Sequence, residues 1–210
     1  NATNKAVIWK TNNESIAKEG SYQARVVAKY LNGFETVPIY SPVFMLDTSV
    51  PTAKVTIKDT TFSPDGDGNL DILLINQQTI VDSGSPIEKW EGIITDSTGL
   101  VIKSFDFGAF PPENVTWNGV NSLNTLAKDG KYNYTLKATD AAGNAANISA
   151  PLFALDTSKT ELILTVSASA FNPAKSAIKL TPIVNTNSQT GSSVTTYDLK
   201  IKNKTGDVVW

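Results

Sequence analysis

The chain has 210 residues, of which 40% are hydrophobic and 18% charged, a composition typical of a folded globular protein. Its net charge of −2 argues against a nucleic-acid partner, which normally requires a concentrated basic face, and no apolar run approaches the ~18 residues that cross a membrane. It contains neither His nor Cys, which excludes Ser-His-Asp and Cys-His catalysis, zinc sites with the usual ligands, and disulfides.

One motif occurs twice and divides the chain into repeats. Its residues recur 109 positions later; the two copies are Pro42, Phe44, Leu46 and Asp47, then Pro151, Phe153, Leu155 and Asp156. A period of this length is too long for a solenoid repeat and fits one small domain. We therefore predict the C-terminal half of a repeat at residues 1–46, a complete repeat at 47–155 and the N-terminal half of a repeat at 156–210.

Residues 1–46 have the pattern of the last strands of a domain. Residues 6–9 form a predicted short strand, and apolar and polar residues alternate from 22 to 28 as in a strand with one buried face. The last predicted strand, 36–46, contains Pro38 and Pro42, which confine it to a sheet edge or a bend. The polar residues that follow, Asp47-Thr48-Ser49, disfavour regular structure and mark the junction to the next repeat.

The complete repeat has about seven short predicted strands and no helical period. These strands lie near residues 55–57, 70–76, 87–95, 100–103, 115–117 and 132–138, with a final strand broken by proline. The residues expected in the core from their period-two placement are Val55, Ile57, Trp90, Tyr132, Tyr134 and Leu136. Short strands joined by turns predict an all-β fold made of antiparallel β-sandwiches in tandem.

Residues 156–210 begin the same pattern again. Residues 162–166 match the first strand, Phe171-Asn172-Pro173 matches Phe62-Ser63-Pro64, and 197–202 match the third strand. Neither terminal half can bury its apolar face alone. We therefore expect the halves to complement each other within one chain or head to tail between chains; the alternative is a fragment of a longer, continuous polypeptide. The chain begins at Asn1 without Met, so we interpret it as a mature or excised piece.

Five stretches of the sequence carry three resemblances to known bacterial modules. Val115-Thr116-Trp117-Asn118-Gly119, with Asp129–Leu136 and the Thr139–Asn144 turn, resembles the Ig-like domain of the flagellar hook-capping protein and related surface repeats. Residues 62–71 are similar to a Phe-Ser-Pro-Asn-Gly-Asp-Gly loop of exported bacterial proteins, and 46–49 to the junctions of tandem Ig-like arrays. The resemblance implies tandem Ig-like or fibronectin-type-III-like sandwiches in a protein that is extracellular, at the cell surface or in the periplasm.

The loop at residues 63–71 is a candidate calcium site. Asp65, Asp67, Asn69 and Asp71 alternate with other residues in a Gly-rich loop, and Ca²⁺ takes six to eight oxygen ligands. These four can occupy loop positions 1, 3, 5 and 7; alternatively Ser63 takes position 1, with Asp65, Asp67 and Asp71 at 3, 5 and 9. The Glu expected at position 12 is absent, and a solvated turn is the alternative interpretation. Ca²⁺ is the one cofactor that the sequence suggests.

Repetition without a catalytic residue set favours a structural function. The leading hypothesis is a non-catalytic Ig-like repeat module of an exported bacterial surface or appendage protein, filament- or flagellum-associated, whose partners are neighbouring Ig-like domains of the same or another copy. The alternative is an adhesin or carbohydrate-binding module whose sandwich-end loops contact surface glycans or host proteins. Trp9, Trp90, Trp117 and Trp210 could stack on sugars, but packing in sandwich cores explains them better. A patch of exposed aromatics would favour binding, and buried aromatics would favour a spacer.

Overall fold

The computed structural model describes residues 6–10, 17–80, 84–185 and 194–210. These residues form strands and turns, and none of them lies in a helix long and apolar enough to cross a membrane. The strands, in chain order, are β1 (Gly20–Tyr22), β2 (Arg25–Val26), β3 (Ile39–Tyr40), β4 (Phe44–Leu46), β5 (Thr52–Ile57), β6 (Thr61–Phe62), β7 (Leu73–Ile80), β8 (Ile87–Asp96), β9 (Val101–Gly108), β10 (Asn114–Trp117), β11 (Gly130–Asp140), β12 (Ala145–Ser149), β13 (Phe153–Leu155), β14 (Glu161–Val166) and β15 (Leu180–Asn185).

The complete repeat is a sandwich of two sheets. One sheet has the order β10-β7-β5, and the other the order β6-β13-β11-β8-β9, with β12 also pairing with β11. Both sheets contribute to one hydrophobic core. A three-stranded sheet packs against a larger sheet, and connections cross from one sheet to the other, which is an Ig-like arrangement. The predicted all-β sandwich fold is therefore confirmed.

Two irregularities shape the second sheet. The last strand is broken where the sequence predicts, since β12 and β13 flank Pro151 and both pair antiparallel with β11. The sheet also contains one parallel pair, β13 with β6, which the sequence does not reveal. It arises because the chain switches sheets after β5, and the backbone N–H of Ala154 then donates to the carbonyl of Thr60 at 2.8 Å.

The core of the complete repeat contains the residues predicted for it. Val55, Trp90, Tyr132, Tyr134 and Leu136 are buried, while Ile57 is partly buried and packs against the same cluster. Tyr134 donates a 2.8 Å hydrogen bond across the sandwich to Oε1 of Gln77, and burial raises the pKa of its phenol.

Gly92 is required where the Tyr134 ring crosses β8. A Cβ at position 92 would stand 2.3 Å from the Tyr134 hydroxyl oxygen. The absence of a side chain at this position therefore makes room for the tyrosine.

Some predicted strand boundaries are wrong. The second strand of the complete repeat begins at Leu73 rather than residue 70. Leu70 has a φ of 54°, a left-handed conformation that a strand cannot contain, because the preceding loop closes there.

The flanking half-repeats form small separate sheets. The pairs are β1 with β4, β2 with β3, and β14 with β15. Residues 6–9 and 197–202 are predicted strands but are not strands here, because in the complete repeat their counterparts pair with strands of the opposite half. Among the described residues no strand pairing joins 6–46 to 161–210, and the expected complementation of the two halves stays a prediction.

Candidate metal loop and repeat junctions

The predicted calcium loop connects β6 to β7 and brings three carboxylates together. One ligand oxygen from each of Asp65, Asp67 and Asp71 lies within 4.8 Å of the others. Asp65 and Asp67 are exposed, whereas Asp71 is half-buried. Both proposed ligand registers share these three residues, so their clustering is compatible with either.

Asp71 also organises the backbone of this loop. Its Oδ1 accepts a 2.8 Å hydrogen bond from the N–H of Gly66, and its Oδ2 accepts one of 2.8 Å from the N–H of Gly68. Both glycines have left-handed φ angles, 85° and 88°, which L side chains rarely adopt. The alternation of Asp and Gly therefore has a local structural explanation that does not require a metal.

The donor set fits a hard cation in type but is small. An ionised carboxylate has about four acceptor sites, so Asp71 keeps free lone pairs beside its two amide contacts. Oδ1 of Asp67 accepts the N–H of Asn69 at 2.8 Å, and the N–H of Ser63 donates to the carbonyl of Leu70 at 2.9 Å. These contacts place Asn69 and Ser63 in the same loop without choosing between the registers. Ca²⁺ would need further oxygens, such as waters or backbone carbonyls, to reach six.

The corresponding loop of the third segment has no carboxylate. The strand register equates Ile57↔Ile75 with Val166↔Leu180, so this loop is four residues shorter than its counterpart. It closes around Asn172, whose carbonyl accepts the N–H groups of Lys175 and Ser176 at 2.9 and 2.8 Å. The strand pairing therefore forms without the Asp-Gly sequence.

The junction before the complete repeat is held by an acidic residue of the preceding segment. Glu19 Oε1 accepts hydrogen bonds from the backbone N–H of Thr48, at 2.8 Å, and from the Thr48 hydroxyl. Its Oε2 accepts the Ser49 hydroxyl at 3.0 Å. These bonds, the hydroxyl of Thr48 foremost, lower the pKa of Glu19.

The same clamp occurs at the next junction. Asp129 Oδ1 accepts the N–H and hydroxyl of Thr157 at 3.0 and 2.9 Å, and its Oδ2 accepts the hydroxyl of Ser158 at 3.1 Å. The sequence marked Asp-Thr-Ser as a junction, but it did not reveal that the acidic residue before each Gly-x-Tyr sequence binds this junction. Both motifs, the acidic residue and the Thr-Ser pair, occur together in each copy, and this recurrence was the sequence feature that could have indicated the contact.

Asp47 extends the first clamp into the complete repeat. Its Oδ2 accepts hydrogen bonds from the hydroxyl and the N–H of Ser85, both at 2.6 Å, and the Ser85 contacts hold the pKa of Asp47 below its usual range. Asn144 Nδ2 donates to the Asp47 carbonyl at 3.3 Å. A Cβ on Gly84 would lie 2.5 Å from the Asp47 carboxylate, so a glycine is needed for this approach. Glu19, Asp47 and Ser85 thereby link two successive repeats.

An aromatic triad is duplicated beside each clamp. Trp117 lies 5.2 Å from Tyr132 and 5.9 Å from Phe153 between ring centroids. Trp9, Tyr22 and Phe44 repeat this arrangement at 5.2 and 5.8 Å. Each tyrosine donates its hydroxyl to a lysine carbonyl four residues earlier, Lys128 and Lys18, as in the tyrosine corner of Ig-like domains. Trp9 is therefore the structural counterpart of Trp117.

The sandwich and the duplicated junction define a protein built from tandem Ig-like β-sandwich repeats. No family model and no curated protein matches the chain. A solved structure of the tetra-tandem repeat in the extending region of a large adhesion protein is similar at 17% identity and a TM-score of 0.37, over 90% of this chain and 54% of that one. The chain thus spans about half the length of that structure. At this TM-score the similarity is too weak to assign a fold family or a function. The resemblance to the hook-capping domain stays a prediction.

Proposed function

We propose that this chain is a non-catalytic spacer module of an exported bacterial surface or appendage protein. The observation that carries the proposal is the repeated junction, in which an acidic residue at the start of the tyrosine-bearing strand binds the Thr and Ser that leave the repeat. Charge-assisted hydrogen bonds are stronger and geometrically more restrictive than neutral ones. A junction closed in this way fixes the angle between neighbouring repeats, which is what an extended spacer requires.

The aromatic residues of the complete repeat support a spacer over a binding module. Trp90 and Trp117 are buried in its core, and sugar stacking is therefore not open to them. Trp9 and Trp210 of the flanking segments, also expected in sandwich cores, are instead 51% and 70% exposed. Among the aromatic side chains of residues 47–80 and 84–155, only Phe110 is largely exposed, at 89%. A single exposed ring is less than the patch expected of a carbohydrate-binding surface. Contact with glycans or host proteins remains the alternative function.

Distance measurement across the junction tests the spacer. Spin labels on Lys29→Cys and Leu123→Cys report the separation of the first segment from the complete repeat by pulsed electron resonance, and the chain has no native Cys to interfere. We expect one narrow distance distribution that broadens in Glu19→Ala. The matched control is Glu88→Ala, which removes an exposed carboxylate on β8. A broad distribution in the unsubstituted background would mean that the junction is a hinge and would contradict the spacer.

Two further measurements test the alternative binding function and the location of the protein at the cell surface. A spacer predicts no specific signal for the chain on a glycan array, whereas a binding module predicts a signal that Phe110→Ala reduces. Antibodies raised against the chain should label intact cells of the source bacterium if the protein is at the surface. Labelling only after the cells are permeabilised would place it elsewhere.

A further inference from the structure

The parallel pair of β6 with β13 joins the two parts of the chain that connect the complete repeat to its neighbours. Thr61 and Phe62 of β6 lie opposite Ala154 and Leu155 of β13. β6 is the second strand after the chain enters the repeat, and β13 is the last strand before the chain leaves it at Asp156. The entering and the leaving segments are therefore bonded directly to each other.

The direction of the two strands decides how this pair responds to a pull along the chain. Tension from the preceding repeat acts on the N-terminal end of β6, and tension from the following repeat acts on the C-terminal end of β13. Because the strands are parallel, these two points lie at opposite ends of the pair, and the strands are pulled lengthwise past each other. Their hydrogen bonds then share the force and must break together. In an antiparallel pair the same pull would act at one end and break the bonds one after another.

We propose that the complete repeat bears tension along the array and that the β6–β13 pair is its mechanical clamp. The backbone N–H groups of Ala154 and Asp156 donate to the carbonyls of Thr60 and Phe62 at 2.8 and 3.1 Å, and a lengthwise pull loads both bonds at once. This function goes beyond the spacer and does not depend on a fixed angle between repeats, because tension reaches both strands even across a flexible junction.

The clamp is shielded from water. Phe62, Phe153 and Leu155 are at most 2% exposed, and Ala154 is 7% exposed. Water that reaches a stretched backbone hydrogen bond replaces it, whereas a buried donor or acceptor that loses its partner stays unsatisfied. The low dielectric of the core also strengthens each bond electrostatically. The pair therefore resists force although it is short.

Side-chain hydrogen bonds fasten the chain where the load enters and leaves. At the exit Asp129 accepts hydrogen bonds from Thr157 and Ser158, and Asp129 directly precedes β11, which pairs with β13. At the entry Asp47 accepts two bonds of 2.6 Å from Ser85. Hydrogen bonds to ionised carboxylates are roughly twice as strong as neutral ones. A pull along the array therefore meets these bonds before it reaches the two strands.

Optical tweezers test the clamp by changing only the direction of the force. Handles are attached to the full chain through two introduced cysteines, since it has no native Cys. Lys58→Cys with Lys159→Cys applies force before β6 and beyond the C-terminal end of β13, which shears the pair. The matched control, Lys58→Cys with Leu152→Cys, moves the second handle to the N-terminal end of β13, which peels the pair apart. All three positions are exposed.

We expect an unfolding force several-fold higher in the shearing attachment than in the peeling one. Forced unfolding is governed by the unfolding rate, so the two attachments differ when the barrier depends on the direction of the force. Urea unfolding of both cysteine variants should give the same free energy of unfolding, because substitutions at exposed positions change it by at most about 0.5 kcal/mol. The difference in force then belongs to the geometry of pulling.

Removal of one clamp bond provides a second test. Ala154→Pro has no N–H to donate to the Thr60 carbonyl. It should lower the unfolding force in the shearing attachment and leave the force in the peeling attachment nearly unchanged, because peeling breaks the bonds singly. Circular dichroism checks that this variant is folded. If it is not, the two attachments in the chain that keeps Ala154 still decide.

Three results would overturn the proposal. The first is an equal unfolding force in the two attachments, and the second is an equal loss of force in both attachments of Ala154→Pro. The third concerns the path that neighbouring repeats load, through β5 as well, which Val50→Cys with Lys159→Cys reproduces. A force there as low as in the peeling attachment would mean that the repeat does not bear tension along the array.

Discussion

The same three aromatic side chains occur in two places with the same geometry and opposite exposure. The Trp9 and Trp117 triads agree to within a few tenths of an ångström in their centroid distances. Nevertheless Trp117 is fully buried, whereas half of the Trp9 surface is accessible. The triad is therefore specified by the C-terminal half of a repeat alone, and its burial is supplied by the N-terminal half.

This difference separates local from non-local determinants of the fold. The tyrosine corner and the final strands form in residues 17–46, and the clamp joins Glu19 to Thr48, without a front sheet to cover them. The strand at residues 6–9 does not form, because the counterpart of its partner β7 lies in the other half. Short hydrogen-bonded motifs and the β14–β15 ladder thus form within one half, whereas the counterparts of the β10–β7 and β8–β11 ladders require both halves.

Replacing each tryptophan by alanine tests this comparison most strongly. Trp117→Ala should destabilise the complete repeat by about 3–5 kcal/mol, since it removes a fully buried aromatic side chain and leaves a cavity. Trp9→Ala is the matched control and should leave the main unfolding transition unchanged, because Trp9 lies outside that core. Urea unfolding followed by circular dichroism measures both. Equal losses would mean that the first segment and the complete repeat unfold as one unit.

The cross-sandwich hydrogen bond gives a smaller effect. Gln77→Ala leaves the buried Tyr134 hydroxyl without an acceptor and the Pro112 carbonyl without its 2.7 Å donor, so we expect a loss of about 1–3 kcal/mol. The adjacent Gln78 is exposed, and Gln78→Ala should stay within about 0.5 kcal/mol of the unsubstituted chain. Chemical unfolding would measure the difference. If Gln77→Ala destabilises the chain as little as Gln78→Ala, water replaces the hydrogen bond between Tyr134 and Gln77.

The two loops after Phe62 and Phe171 provide a metal test. If Asp65, Asp67 and Asp71 bind Ca²⁺ with a Kd of about 10⁻⁴–10⁻³ M, 1 mM Ca²⁺ should stabilise the complete repeat by about 0.4–1.4 kcal/mol. Asp67→Asn should remove that gain in a thermal melt, whereas a substitution in the carboxylate-free loop, Lys175→Ala, should not. Titration calorimetry without heat at millimolar Ca²⁺, together with a melt unaffected by chelator, would show that the loop is only a turn.

The alternation of apolar and polar residues predicted the fold well, because successive residues of a strand point to opposite faces of the sheet. Tyr132, Tyr134 and Leu136 are buried as their period of two requires, and the proline break is where Pro151 placed it. The parallel β6–β13 contact was not predicted, since it depends on where the chain changes sheets. The left-handed conformation of Leu70 was missed for a similar reason, because Leu is a poor signal for positive φ.

The site residues were only partly predictable. Clustering of Asp65, Asp67 and Asp71 follows from their spacing in one loop. The contact of Asp47 with Ser85 joins residues 38 positions apart and has no local signature. Such a contact depends on the packing of two loops that only the completed sandwich brings together.

The smallest expected effect is local and concerns the loss of the Glu19 clamp at acid pH. The hydrogen bonds of Thr48 and Ser49 lower the pKa of Glu19 from its ordinary value of 4.5. The folded chain therefore stabilises the ionised Glu19 carboxylate relative to the unfolded chain. The clamp's contribution is therefore complete above about pH 4.5 and is lost as the pH falls through the lowered pKa. Amide resonances of Thr48 and Ser49, followed by NMR, should titrate with a midpoint below 4.5 in the native chain and lose that transition in Glu19→Gln.

Asp47, whose pKa is lowered chiefly by Ser85, provides the internal control. Its titration should shift the Ser85 amide resonance in a separate step that Glu19→Gln leaves in place. A midpoint at or above 4.5 for Thr48 would mean that Glu19 does not bind it in solution, and the first junction would then differ from the second, where Asp129 forms the clamp.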